Sequence, residues 1–228
     1  MLAISKYTYS ILFLLPVKHS TDLNPAKNKD EMEKKTFPLI LLLDNVRSAF
    51  NVGSIFRTAD ACNCHTILTT GITPHPNGSG MEKLQKCALG ADRIVSTKHF
   101  DTTLEAIEYL RIAYPRWTVV GMETTNDSQC YTDVVYPGGE NDDTEKIEMS
   151  KEGIKDSLDK QIETDISIRS HSVGTVLVLG NEVTGVDTEI MTKLDLIVEI
   201  PMFGAKNSLN IAACAPVVMY EILRQWGK

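Results

Sequence analysis

The stretch Leu43-Asp44-Asn45-Val46-Arg47-Ser48-Ala49-Phe50-Asn51-Val52-Gly53-Ser54-Ile55-Phe56-Arg57-Thr58-Ala59-Asp60-Ala61 decides the fold. An aliphatic run ends in Asp44-Asn45, the chain turns, and a polar residue next to a glycine opens a helix. A strand-to-helix turn of this kind aims free backbone amides and short polar side chains at a ligand. Asn51 is the expected helix cap, its side-chain oxygen accepting from an amide of the first turn. Arg57 follows six positions later, and with the helix starting just after Asn51 the two side chains are expected to address one rim. Plainer readings compete at each position: a cap at Asn51, a surface ion pair at Arg57, a close backbone approach at Gly53. Two more turns of the same kind near the C-terminus weigh against treating them singly.

Working outward, a strand from Pro38 through Ile40 to Asp44 is continuously apolar, as in a parallel sheet buried on both faces. A helix is expected over Val52 to Cys62 and a second strand over Thr66 to Thr69. Gly71-Ile72-Thr73-Pro74-His75-Pro76-Asn77-Gly78-Ser79-Gly80 is dense in turn formers and reads as a loop. Lys83, Lys86 and Arg93 follow it, either as a solvated face or as a place to grip a substrate backbone. A third strand is expected over Arg93 to Ser96, a helix over Leu104 to Ala113 and a fourth strand over Trp117 to Glu123. Val176 to Leu179 resumes the sheet, Asp187 to Lys193 is a short helix, and Leu196 to Ile200 the last strand. A final helix opens at Asn207-Ser208-Leu209-Asn210 and is apolar nearly all round to Trp226, so both its sides are expected to be covered. Pro216 inside it should bend it or break it in two. Strands alternating with helices of this size give an α/β fold with a parallel sheet and helices on both faces.

The 228 residues suffice for one sizeable α/β core, here expected over 36–228, and a hydrophobic fraction of 43% is that of a globular protein. Residues 1–35 differ: a short apolar run, Tyr7 to Leu15, precedes Pro16 and a polar stretch, and is too short to span a bilayer. They are expected to form a leader, disordered or for targeting, giving a cytoplasmic protein or, with a targeting leader, a chloroplast or mitochondrial one. The net charge of -7 argues against a generally basic nucleic-acid binder. That acidity is local: residues 126–170 carry 12 Asp and Glu against 5 Lys and Arg, and the remainder is balanced. This segment is expected to be an insertion, with a surface helix over Met149 to Thr164. Five cysteines without framework spacing imply a reducing compartment, and Cys62-Asn63-Cys64-His65 lacks zinc spacing, so no metal is expected.

All three turns lie at carboxyl ends of strands, where parallel α/β sheets bind ligands. They bring Asn51, Arg57, Glu182, Ser208 and Asn210 toward one edge. Neither a Gly-x-Gly-x-x-Gly turn nor a phosphate loop is present, so an adenosine held by loop backbone between Gly180, Ile200 and Met202 suits the site better than a phosphate cradle.

Three motifs in order carry a resemblance: Asn51-x-Gly-x-x-x-Arg-Thr-Ala59, then Leu179-Gly180-Asn181-Glu182-Val183-Thr184-Gly185, then Ile200-Pro201-Met202 with Ser208-Leu209-Asn210. Together they resemble the SpoU (TrmH-type) RNA 2'-O-ribose methyltransferases of the SPOUT superfamily, over about Pro38 to the C-terminus without the acidic segment. The resemblance implies a C-terminal deep trefoil knot, one of the exceptions to unknotted connections. It implies S-adenosylmethionine held by Leu179, Gly180, Glu182, Ile200, Pro201, Met202, Ser208 and Leu209. It also implies a homodimer through the C-terminal helix with a shared active site. Arg57 would activate the ribose hydroxyl or hold its phosphate, Asn51 and Glu182 would orient Arg57 and the ribose, and Ser208 and Asn210 would line the pocket. The chain departs from many relatives at Ala49-Phe50, where they have proline, and at Cys62-Asn63-Cys64. The small N-terminal RNA-binding domain of several relatives is not expected, which favours tRNA over rRNA as substrate. Rival expectations are a catalytically silent RNA-binding protein and a methyltransferase acting on protein or on a base.

Overall fold

The computed structural model describes residues 36–78, 80–139 and 173–228. The leader over 1–35 and the helix expected over Met149 to Thr164 lie outside the described residues. Within Thr36–Lys228 the elements run β1 (Phe37–Asp44), α1 (Ala49–Ala61), β2 (Cys64–Thr70), α2 (Met81–Ala88) and a 3-10 turn (Ala91–Arg93). They continue as β3 (Thr97–Phe100), α3 (Thr103–Ala113), β4 (Trp117–Met122), β5 (Gln129–Cys130), β6 (Gly174–Leu179), α4 (Thr188–Met191), β7 (Leu196–Glu199) and α5 (Ile211–Gln225). The strands form one sheet in the order β3-β2-β1-β6-β4-β7-β5, and every pairing is parallel.

The core explains the sequence of β1. Leu39, Leu41 and Leu43 face α1, α2 and α5, while Ile40 and Leu42 face α3 and α4, and all five are fully buried. With both faces apolar, alternation alone does not fix the strand's register. Asp44 does so at its end: the buried carboxylate accepts from Thr103 Oγ1 at 2.6 Å, from Asn45 Nδ2 at 2.9 Å and from the Asp187 amide at 3.1 Å. One residue thereby joins the β1 turn, the start of α3 and the loop after β6.

Several expectations are corrected. The third strand lies at Thr97–Phe100, because Ala91–Arg93 is taken by a 3-10 turn and Val95 by the core. The basic stretch after the Gly-rich loop forms α2, whose two buried residues, Leu84 and Ala88, lie one helical turn apart. Residues from the start of the acidic segment are part of the core. β5 pairs with β7, Tyr136 is buried, and Gln225 and Trp226 of the α5 terminus donate to the carbonyls of Val134 and Tyr136. α5 is unbroken across Pro216, since Ala215, Val218 and Met219 around it are fully buried and hold the helix together. Within the single chain Val217 and Tyr220 of this helix stand 39% and 53% exposed. Among the described residues no helix is long and apolar enough to cross a membrane.

Candidate active site

The sheet changes direction between β1 and β6: the chain leaves β1 for α1 and β2 on one side, and leaves β6 for α4 and β7 on the other. Such a switch point opens a crevice at the carboxyl ends of its two strands. The turn after β1 and the loop after β6 form its two lips.

The loop after β6 is closed on itself. Asn181 and Gly185 exchange backbone hydrogen bonds of 3.0 and 2.9 Å, and the Asn181 side chain accepts from the amides of Val183 and Thr184. Its Nδ2 donates to the Asn45 carbonyl at 2.8 Å, fastening this loop to the other lip. Both glycines are required. A Cβ on Gly180 would collide with the backbone of Gly185 and Val186, and Gly185 has φ +71° with the Glu123 carboxylate where its Cβ would lie.

Glu182 projects from this loop across the crevice. Its Oε2 accepts from the Arg47 amide at 2.9 Å and its Oε1 from the Ser48 amide at 3.1 Å. Oε1 also accepts from Asn51 Nδ2 at 2.8 Å, and Asn51 Oδ1 accepts in turn from Asn210 Nδ2 at 3.2 Å. All three expected turns therefore meet in one chain of hydrogen bonds, Asn210 to Asn51 to Glu182. Burial opposes ionisation of Glu182, but the Arg47 amide, the Asn51 side chain and the Ser48 amide outweigh it and hold its carboxyl below the usual range. Glu182 is thus a fixed anion that orients Asn51, and a poor proton acceptor.

Beside this chain lies a cleft of about 640 Å³. Of the expected binding residues it is lined by Gly180, Glu182, Ile200, Met202, Ser208, Leu209 and Asn210; Leu179 is fully buried behind it and Pro201 is not on its wall. Met122, Glu123, Thr124, Glu199, Asn207, Ile211 and Cys214 also line it. Glu123 was missed although it stands immediately after β4, at the same carboxyl edge that drew attention to the other turns. Its Oε2 accepts from the Val186 amide at 3.0 Å and so braces the Glu182 loop from beneath.

Two site residues stand otherwise than expected. Ser48, not Asn51, caps α1, its hydroxyl accepting from the Asn51 amide at 3.3 Å. The helix therefore starts before Asn51 and frees that side chain for Glu182. Arg57 is not brought to the cleft. Six residues turn a helix by about 240° beyond one full turn, and Arg57 emerges into a separate depression of about 380 Å³ with Ser54, Thr58, Ala61, Pro216 and Tyr220. Gly53 serves close packing, because a Cβ there would press on Cys87, Leu84 and Ala88 of α2. Cys62 and Cys64 are buried, and burial pushes the Cys62 thiol up to about 11, against a weaker opposing hydrogen bond from Tyr220.

Comparison with known proteins fits this geometry. The family model described as the SpoU rRNA Methylase family matches residues 38–220. A Staphylococcus aureus protein assigned to the TrmH family of tRNA/rRNA methyltransferases is 25% identical over 197 residues, covering 86% of this chain and 63% of its own. The 23S rRNA (uridine(2479)-2'-O)-methyltransferase of Streptomyces viridochromogenes is 25% identical over 201 residues, 88% of this chain and 58% of that enzyme. The chain thus spans less than two thirds of these relatives. Among solved structures, the A. aeolicus TrmH/SpoU tRNA modifying enzyme superposes with TM-score 0.61 at 23% identity, over 85% of this chain and 77% of the other. AviRb of S. viridochromogenes, solved with AdoMet, gives 0.60 at 24% identity, over 88% and 65%. With the family model spanning the sheet, all three turns and most of α5, the chain belongs to the SpoU rRNA methylase family.

Proposed function

We propose that this protein is an S-adenosylmethionine-dependent RNA methyltransferase acting on a ribose 2'-hydroxyl, most simply of tRNA. The observation that carries the reading is the Asn210–Asn51–Glu182 hydrogen-bond chain at the edge of the cleft. It spends three polar side chains from distant segments on one rim, which folding alone does not demand. A solved neighbour described as methylating the 2-OH of C/U34 on tRNA matches 84% of this chain and 97% of its own, at TM-score 0.59. What that neighbour is described as methylating supports tRNA; the Streptomyces relative supports rRNA as the second reading.

The residues of the cleft fit the cofactor. Ile200, Met202 and Leu209 offer apolar walls for an adenine, and Asn207 and Ser208 offer polar contacts for a ribose. Glu123, Glu182 and Glu199 line the cleft with no lysine or arginine among the lining residues, a charge pattern suited to a cationic ligand. S-adenosylmethionine, when bound, supplies an electrophilic methyl group on a sulfonium. The protein's part is to hold a ribose hydroxyl in line with it and to ease that hydroxyl's loss of a proton. Asn51, held rigid between Glu182 and Asn210, positions the ribose. Arg57 acts through its guanidinium, gripping the phosphate next to the target and favouring the developing charge on the hydroxyl.

Arg57 opens beside Pro216 and Tyr220 rather than into its own cleft, which supports a shared site in a homodimer. Phe50, Val217 and Tyr220 expose apolar surface on α1 and α5, as a dimer face requires. A trefoil knot formed by the chain after β6 is part of the same proposal. The test is to incubate the protein with methyl-labelled S-adenosylmethionine and bulk tRNA or rRNA, then digest with alkali. Label in alkali-resistant dinucleotides supports ribose methylation; label in mononucleotides or none in RNA contradicts it.

A further inference from the structure

Building on the RNA-methyltransferase reading, we propose that the exposed face of α2 and the following 3-10 turn is a docking strip for the RNA phosphate backbone, formed by Lys83, Lys86 and Arg93. All three side chains are exposed, and none makes an ion pair among the described residues. Two other arginines are paired: Arg111 holds Asp195 through two hydrogen bonds of 2.9 Å, and Arg224 holds Glu221 at 2.7 Å. Of the two acidic residues within the cluster, Asp92 is buried and only Glu82 is exposed.

The strip is fixed to the rim of the candidate active site. Gly53 lets α2 lie directly on the first half of α1, the half that presents Asn51 to Glu182. The loop leading into α2 is tied to the turn after β1, where the Thr73 hydroxyl accepts from the Val46 amide at 3.0 Å and Asn45 Oδ1 from the Ile72 amide at 3.3 Å. Farther along this loop the His75 ring stacks on His99 with centroids 3.7 Å apart. A backbone resting on α2 is thereby carried toward the Arg47-Ser48 lip, whose amides hold Glu182. Met81, Leu89 and Ile94, on the same segment as the cations, are exposed and offer apolar contact to sugars and bases. A protein partner fits this face less well, because burying three unpaired cations in an interface costs more than the aliphatic contacts return.

The test is the salt dependence of binding to bulk tRNA, compared between the wild type and the Lys83→Ala/Lys86→Ala/Arg93→Ala variant, with S-adenosylmethionine binding measured in parallel. Loss of three phosphate contacts should make the log–log salt slope shallower by roughly two to three and weaken binding at low salt by tenfold or more. Cofactor binding and thermal unfolding should be unchanged. A Lys83→Gln/Lys86→Gln variant, with side chains of similar length, should give the same direction with about two thirds of the slope change. An unchanged slope overturns the proposal, as does absence of RNA binding in a wild type that binds the cofactor. An unchanged slope with an altered sedimentation coefficient would assign the face to a protein contact instead. Should the slope fall in a protein that binds no S-adenosylmethionine, the docking strip stands and the methyl-transfer reading fails.

Discussion

Asn51 and Glu182, 131 residues apart in the chain, meet in a hydrogen bond of 2.8 Å across the crevice between β1 and β6. The same carboxylate takes the amides of Arg47 and Ser48, which point out of the turn before α1. A helix start that would bind an external anion is here satisfied by one from the protein itself. The lip is therefore set before any substrate arrives.

That arrangement predicts a pH signature. The Glu182 carboxyl is held below its usual range in the folded protein, so its contribution is present above the unfolded value of about 4.3 and is lost as pH falls through the lower folded value. Glu182→Gln should therefore be less stable than wild type near neutral pH, with the difference closing as the medium is acidified below pH 4. Urea titrations at a series of pH values measure it. A difference that stays constant across that window would mean the ionised carboxylate is not what holds the lip.

Asp44 should be the costliest single polar residue to remove. Asp44→Ala leaves the Asp187 amide without its acceptor and the buried Thr103 hydroxyl with Thr70 Oγ1 as its one remaining partner. A loss of about 3 kcal/mol is expected, read as a lower midpoint of chemical unfolding. A loss below about 0.5 kcal/mol would show that neighbouring groups or water replace the carboxylate.

Thiol reactivity should divide the five free cysteines. Burial pushes the Cys62 and Cys214 thiols up to about 11, and Cys64, also buried, is raised as well. Cys87 and Cys130 are partly exposed. Alkylation near pH 8 followed by peptide mapping should modify Cys87 and Cys130 first, with the other three following only on unfolding. Early labelling of Cys62 would mean that the contact between α1 and α5 opens readily.

Arg57 should separate chemistry from binding. It is exposed and lies outside the cleft, so Arg57→Ala should lower methyl transfer by about a hundredfold or more while cofactor affinity is kept. Mixing this variant with Asn210→Ala should restore part of the activity if the site is shared between two copies. Joint loss of transfer and cofactor affinity would make Arg57 structural.

Much of this architecture was legible in the chain. The unbroken apolar run of β1 announced a sheet covered on both faces, and the glycines after Leu179 announced a tight loop facing a ligand. A short element with little to bury leaves little pattern: α2 places only Leu84 and Ala88 inside, and its lysines look like any solvated stretch. β5 is two residues long and was hidden by the acidic composition that follows it. The cap at α1 was misassigned because Ser48 and Asn51 are both good caps, and the choice depends on Glu182, which is remote in sequence. Glu123 stands at the end of β4, so the tendency of strand ends to line the crevice applies to it as to the other three turns.

Cofactor binding to the cleft is the most direct measure of the whole account. Calorimetric titration with S-adenosylmethionine should give one site per chain in the wild type. Leu209→Lys should abolish or weaken it more than tenfold, since Leu209 lines the cleft while standing 46% exposed, outside the core. No heat of binding in the wild type, or an affinity indifferent to Leu209→Lys, would contradict the assignment of this cleft.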